Sequence, residues 1–135
     1  MPARDHYHAL VVELLNREGW SIVTEQYKVI VGERRLWIDI QATKAELSQA
    51  ILVEVKGLEN SSSAVTELGD ATGQYVLYQV GVAANKLPFT LYLAVPEFAY
   101  QGILSEELGQ QVLQRIGMNL LVFDPDQEVI TRWIP

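Results

Sequence analysis

The sequence predicts a mixed α/β fold, with elements in the order αβββαβ followed by one more helix and two C-terminal strands. Three segments repeat apolar residues at helical spacing or carry helix-capping signals, and six segments are patterned as strands. The chain has 135 residues, of which 49% are hydrophobic. That size and composition suit one compact core, so we expect residues 1–135 to form a single domain.

The first half of the chain predicts one helix and three strands. Residues 5–17 have the spacing of an amphipathic helix, and Gly19 is placed to end it. A turn at Gly32 and Glu33 separates the first two strands, and a longer loop joins the second strand to the third as a hairpin. The three predicted strands cover residues 20–31, 36–42 and 50–56.

The second half predicts two helices and three strands. The run Asn-Ser-Ser-Ser at residues 60–63 offers several N-caps for a helix that continues to about Val80. Ser105 is the predicted N-cap of the last helix, which ends near Gly117. Residues 89–95 form a continuous apolar run, as expected of a strand buried on both faces. The last two predicted strands cover residues 120–123 and 129–133.

Composition and charge exclude several classes of function. The chain has no cysteine, so disulfides, thiolate zinc sites and cysteine nucleophiles are excluded. Its net charge is −7, whereas proteins that hold nucleic acid by themselves are usually basic. We therefore expect weak DNA binding by the chain alone, helped by a metal, a partner or a basic patch such as Arg34 and Arg35. With no apolar signal region or membrane-span run, a cytoplasmic protein without membrane association is expected.

The stretch from residue 36 to residue 57 carries the side chains that point most directly to a chemistry. Asp39 lies on the second predicted strand, and Glu54 and Lys56 lie on the third. Because alternate residues of a strand share a face, Glu54 and Lys56 project together, and hairpin pairing brings Asp39 to the same end. Two carboxylates beside a lysine predict a site for Mg²⁺ and an activated water, which is the chemistry of phosphodiester cleavage.

A solvated strand face is the alternative interpretation of these three charges. Glu-x-Lys on a strand often forms an exposed charge pair that contributes little stability. However, Leu52 shares the face of Glu54, and Trp37 shares the face of Asp39. Large apolar neighbours favour a covered cleft over an open surface.

The chain as a whole resembles a known family. The element order, with an acid on the second strand and Glu-x-Lys on the third, resembles the PD-(D/E)XK phosphodiesterase superfamily. Further motifs resemble the XisH family, cyanobacterial proteins named as controlling factors for excision of the fdxN element. These motifs are A-R-D-x-Y-H at 3–8, E-G-W at 18–20, V-E-V-K at 53–56, G-Q-Y-V-L-Y at 73–78, L-Y-L-A-V-P at 91–96 and V-F-D-P at 122–125. The resemblance implies a restriction-endonuclease-like αβββαβ core.

The resemblance also implies roles for particular residues. Asp39 and Glu54 would bind Mg²⁺ or Mn²⁺, with the carbonyl of Val55 as a further ligand, and Lys56 would orient the attacking water or help to deprotonate it. Ile38 stands where the superfamily name has proline, a position that varies among its members.

The helix that follows these strands contains Gln74 and Tyr78, a Q-x-x-x-Y spacing that resembles the RecB-type branch of the superfamily. In that branch the glutamine reaches toward the metal site or the nucleic acid, so we assign Gln74 to the site and Tyr78 to packing on the sheet. Gly69 and Gly73 suggest that this helix approaches the sheet closely. On the first helix, whether Asp5 or His8 joins the site stays open, and a hydrogen-bonded structural histidine is favoured for His8.

Two functions of different classes fit the sequence. One is a metal-dependent nuclease or nuclease-like factor that acts in programmed excision of a DNA element. The other is a regulator without catalysis that uses the fold to bind a partner, which the acidic charge favours. The resemblance implies an XisI-like companion protein and a separate site-specific recombinase as partners, and a homodimer is a further expectation.

Overall fold

The computed structural model describes residues 6–59 and 63–135, which form one mixed β-sheet with helices on both faces. The order αβββαβ, followed by helical segments and two strands, is confirmed. The elements are α1 (His8–Arg17), β1 (Ser21–Val31), β2 (Arg34–Lys44), β3 (Gln49–Val55), α2 (Ala64–Ala84), β4 (Thr90–Pro96), α3 (Glu97–Gln101), α4 (Glu107–Ile116), β5 (Leu120–Asp124) and β6 (Val129–Ile134).

The sheet keeps its strands in chain order. Within the described residues it has six strands, β1 to β6. The strands β3, β4 and β5 run parallel to one another, and the pairs β1–β2, β2–β3 and β5–β6 are antiparallel. Helix α2 provides the crossover from β3 to the parallel strand β4, since parallel neighbours need such a connection. No helix in this part of the chain is long and apolar enough to cross a membrane.

Two details of the helices differ from the sequence predictions, and the N-cap of α2 agrees with them. The five-residue α3 was not predicted, because it is too short to show a helical period. Helix α4 takes Glu106 rather than Ser105 as its N-cap, since the Ser105 hydroxyl donates instead to the carbonyl of Gln101. Ser63 caps α2 by accepting a hydrogen bond from the backbone N–H of Thr66 at 3.1 Å. The other N-cap candidates, residues 60–62, lie outside the described residues.

The strands in the centre of the sheet are buried on both faces, as the continuous apolar run in β4 predicts. Side chains of β3 alternate between two apolar clusters: Leu52 packs with α2, and Val53 and Val55 pack with α1. Glu54 lies two residues after Leu52 and therefore on the same side of the strand, which faces α2. The two-sided core therefore encloses the end of β3 that carries the predicted site.

The glycines of α2 serve different purposes. A Cβ at Gly81 would meet side-chain atoms of Val29 at 3.0 Å and Leu36 at 3.1 Å, so Gly81 permits close contact with the sheet. Gly69 and Gly73 have nothing within 4 Å of an added Cβ. The expectation that Gly69 and Gly73 bring the helix close to the sheet is therefore wrong, because both face open space.

This contrast predicts opposite stability effects within one helix. Gly73→Ala should raise the free energy of unfolding by about 0.5–1 kcal/mol, since alanine has the higher helix propensity and meets no neighbour. Gly81→Val should lower it by about 1–3 kcal/mol through overpacking against Val29 and Leu36. Urea unfolding of both variants measures the effects, and equal changes of one sign would contradict the packing described.

Candidate functional site

The strands β2 and β3 part at Asp39 and Glu54. Their antiparallel pairing reaches Ile40 opposite Val53, and Asp39 opposite Glu54 would be the next pair. Instead, the backbone N–H of Asp39 donates to Glu54 Oε1 at 3.1 Å, and the N–H of Val55 donates to Asp39 Oδ2 at 2.8 Å. Two carboxyl groups thus replace the ladder hydrogen bonds where the strands diverge. We call this arrangement of Asp39, Glu54 and Val55 the fork.

The fork is buried. Asp39 is 4% exposed and Glu54 is 3% exposed, so the alternative of a solvated charged face is wrong for these two residues. Each carboxyl group gives one oxygen to a backbone N–H. An ionised carboxylate accepts at both oxygens, and the second oxygen of Glu54, Oε2, lies 3.4 Å from the hydroxyl of Tyr78.

Burial raises the pKa of both carboxyl groups. Desolvation, followed by the negative charge of Asp39, raises the pKa of Glu54 to about 8. Desolvation also raises the pKa of Asp39, although the hydrogen bond from Val55 and the charge of His8 oppose it. At neutral pH the pair therefore holds a proton, as expected of two acids that share a site.

Lys56 follows the fork directly. The third strand ends at Val55 rather than at Lys56 as predicted, although the Lys56 N–H still donates to the carbonyl of Ala94 at 2.9 Å. The Lys56 side chain is half-buried, and its positive charge lowers the pKa of both fork carboxyls. The structure therefore brings the two acids together and places Lys56 where its charge acts on both of them.

Tyr78 reaches the fork from α2, a contact that the sequence interpretation missed. Its hydroxyl donates to the carbonyl of Trp37 at 2.8 Å and lies 3.4 Å from Glu54 Oε2. Burial, followed by the charge of Glu54, raises the pKa of Tyr78. The Gln-x-x-x-Tyr spacing is the sequence signal that could have predicted this contact, but the sequence analysis assigns Tyr78 only to packing on the sheet.

Gln74 lies one helical turn before Tyr78. Its Oε1 is buried and has no hydrogen-bond partner within the described residues, and Gln74 makes no hydrogen bond to Asp39 or Glu54 there. Its predicted role at the site stays a prediction. The spacing of four residues places it on the same side of α2 as Tyr78.

His8 lies near the fork on α1. It is 2% exposed, its Nε2 lies 2.7 Å from Glu25 Oε1, and its charge acts on Asp39. This is the hydrogen-bonded histidine that the sequence favoured. Asp5, the other candidate on the first predicted helix, lies outside the described residues.

The fork suits a hard divalent cation by its donor set. Within residues 6–59 and 63–135, no group of three or more His, Asp or Glu is arranged to hold a metal ion. The fork offers two carboxyl groups, and Mg²⁺ commonly binds proteins through only one or two. Val55, whose carbonyl is the expected further ligand, is fixed there by its N–H bond to Asp39.

Comparison with known proteins identifies the family. The family model described as XisH protein matches residues 1–131. The chain belongs to the XisH family. It is 30% identical to an XisH family protein from Nostoc punctiforme PCC 73102, whose crystal structure superposes with a TM-score of 0.89 over 97% of this chain and 100% of that chain. No curated protein matches the chain.

A second crystal structure, of an fdxN element excision controlling factor protein from Anabaena variabilis, is 32% identical to this XisH-family chain. Its TM-score is 0.90, over 98% of this chain and 100% of that chain. Both likenesses extend over nearly all of the chain. The family resemblance carried by the sequence motifs is confirmed.

The raised pKa of Glu54 predicts how stability changes with pH. From pH 4.5, the usual pKa of the group, to pH 8, the folded metal-free protein keeps a proton that the unfolded chain releases. The free energy of unfolding should therefore be highest below this window. It should fall as the pH rises, by at most about 1.4 kcal/mol per pH unit.

Glu54→Gln cannot release this proton, so its free energy of unfolding should fall less than that of the wild type across the window. Urea unfolding in the presence of EDTA at several pH values measures the difference. Glu46→Gln removes an exposed carboxyl outside the fork and serves as the matched control. Wild-type and Glu54→Gln curves that stay parallel from pH 4.5 to pH 8 would contradict the raised pKa.

Proposed function

We propose that this XisH-family chain is a divalent-metal-dependent phosphodiesterase with a restriction-endonuclease-like αβββαβ core. Its proposed substrate is DNA, cut or processed during controlled excision of a genetic element. The similar protein from Anabaena variabilis, described as an fdxN element excision controlling factor, supports the biological setting. The fork of Asp39 and Glu54 supports the chemistry, and it is the observation that carries the proposal.

The fork carboxyls are proposed to hold Mg²⁺ or Mn²⁺. In the metal-free protein the raised pKa of Glu54, about 8, favours a proton on the pair at neutral pH. A divalent cation balances the charges of the two carboxyls more completely, so it is expected to replace the proton. When bound there, the ion would polarise a phosphate oxygen and lower the pKa of a bound water.

Lys56 is proposed to orient the attacking water. It follows Val55 at the end of β3, and its charge reaches both fork carboxyls. A lysine in this place favours the hydroxide form of a nearby water and stabilises negative charge on the phosphate. Tyr78 is a positioning residue, because it joins the Trp37 carbonyl of β2 to Glu54 of β3 across the opening of the fork.

DNA binding by the isolated chain is expected to be weak, given the net charge of −7. We propose that an XisI-like companion protein, or a site-specific recombinase, brings the chain to its DNA. A DNA substrate implies action in the cytoplasm of a bacterial cell.

A second candidate function is regulation through partner binding without catalysis. The outer side of α2 favours it: Leu77 and Val80 are 54% and 51% exposed, and Gly69 and Gly73 beside them face open space. From residue 71 to residue 84 this helix has no charged residue. A surface helix usually has a polar outer face, so this one is suited to a protein partner.

Lys56→Ala tests the catalytic proposal. It should reduce Mn²⁺-dependent cleavage of DNA to background while the far-ultraviolet circular dichroism stays that of the wild type, because the lysine serves the water rather than the core. Arg115→Ala, which removes an exposed positive charge on α4, is the matched control and should retain cleavage. Full activity of Lys56→Ala would refute the proposed role.

Asp39→Asn separates the two candidate functions. The nuclease proposal expects loss of excision with partner binding retained, since asparagine cannot supply the fork's negative charge. The regulatory alternative expects neither excision nor partner binding to change. A pull-down with the companion protein, combined with an excision assay in cells, distinguishes these outcomes.

A further inference from the structure

The β1–β2 hairpin extends beyond the rest of the sheet. Residues 27–31 and 34–38 pair with each other, whereas pairing of β2 with β3 begins only at Ile40. We call residues 27–38 the hairpin arm. One side of the arm packs on the α2 side of the core through Tyr27, Val29, Val31, Leu36 and Ile38.

The other side of the arm bears two cross-strand pairs of different chemistry. Lys28 lies opposite Trp37, and Ile30 lies opposite Arg35. Because alternate strand residues share a side, these four residues lie together, away from the core. We call them the arm strip. Lys28, Ile30 and Arg35 are exposed and Trp37 is half-exposed.

The arm strip leads to the fork. Trp37 lies two residues before Asp39, and the regular alternation of the two strands ends there, because Gln26 has a φ of 67° and Ile38 and Ile40 belong to opposite apolar clusters. Gln26 lies between Glu25 and Tyr27, which pair with Ile40 and Ile38 on either side of Asp39. Arg35 and Asp39 are four positions apart, a distance of about 14 Å along an extended strand. The Oε1 atom of Gln26 is buried and has no hydrogen-bond partner in the described part of the chain. An unpartnered polar atom therefore lies where the strip meets the site.

The positive charges of the strip are not neutralised by the protein. The chain has 10 Lys and Arg against 17 Asp and Glu. Arg17 and Arg132 form ion pairs with glutamates, and Lys44 lies over the ring of Trp20. Among the described residues, Lys28 and Arg35 take part in no ion pair. The same is true of Arg34, Lys56, Lys86 and Arg115, so the strip carries two of the unpaired cations of an acidic chain.

Trp37 is held in a fixed position relative to the fork. Its carbonyl accepts the hydrogen bond from Tyr78, whose hydroxyl also lies beside Glu54. Trp37 belongs to neither apolar cluster of the core, and in the strand register it lies opposite Lys28 and two residues from Arg35. A partly exposed indole in this setting offers a stacking surface for a base, and its own backbone ties that surface to the carboxyls.

We propose that the arm strip binds a single-stranded segment of DNA and leads its backbone to the fork. Lys28 and Arg35 would neutralise phosphates, and Trp37 would stack on one base. Stacking on a side chain requires a base that is free of its complementary strand, so the structure favours single strands, flaps or opened duplex. The substrate class rests on the proposed function, whereas strand binding by the strip does not depend on cleavage.

Fluorescence anisotropy of labelled oligonucleotides in EDTA tests the proposal without turnover. The probes are a 20-nucleotide single strand and the blunt duplex of the same sequence, at low and moderate salt. The wild type should bind the single strand more tightly than the duplex. Arg35→Ala should weaken single-strand binding about three- to tenfold, and it should reduce the salt slope by about 0.7 for the lost phosphate contact.

Matched variants distinguish binding at the arm strip from a general effect of the protein's charge. Arg115→Ala removes the same charge from an exposed site on α4 and should change the affinity less than twofold. Trp37→Ala should weaken single-strand binding about fivefold or more, and Trp37→Phe should restore most of it, because phenylalanine also stacks. Equal losses in Arg35→Ala and Arg115→Ala, duplex binding as tight as single-strand binding, or no binding by the wild type at low salt would overturn the proposal.

The same measurements distinguish failure of the strip from failure of the proposed function. If the strip variants lose binding but Mn²⁺ supports no cleavage, strand binding stands and the nuclease proposal fails. If cleavage requires Lys56 but is unchanged in Arg35→Ala and Trp37→Ala, the nuclease proposal stands and the strip does not guide the substrate.

Discussion

The site depends on the replacement of backbone ladder hydrogen bonds by carboxyl hydrogen bonds where β2 and β3 part. Two neighbouring strands of a sheet can part only if the backbone groups they release find other partners. Here the carboxyl groups of Asp39 and Glu54 accept the N–H groups of Val55 and Asp39. The parting of the strands and the burial of two acids are therefore one feature, since each makes the other possible.

This replacement has an electrostatic cost that the fold does not remove. Burial raises the pKa of Glu54 to about 8, and the positive charge of Lys56 only partly offsets it. A natural core seldom keeps two acids together without a balancing charge, because apolar residues of similar size would be more stable. The proposed cation would supply this balancing charge, and loss of stability in exchange for function is common at functional sites.

The secondary-structure elements and the two acids of the site could be predicted from the sequence, but the contacts between elements could not. The helical periods of α1, the apolar run of β4 and the acid–acid–lysine pattern depend on local spacing, which a single sequence displays. The hydrogen bond of Tyr78 depends on how α2 crosses the sheet, and the open space over Gly69 and Gly73 depends on which side of α2 faces outward. Those are tertiary properties, and the five residues of α3 are too few to show a period.

The most direct test is a calorimetric Mn²⁺ titration at pH 7 in two buffers with different protonation enthalpies. Comparing the heats gives the number of protons released per ion bound. A fork that binds the cation in place of its proton predicts one saturable site and release of about one proton, because Glu54 titrates near pH 8. Asp39→Asn should abolish the binding. No saturable binding, binding without proton release, or unchanged binding by Asp39→Asn would contradict a metal site at the fork.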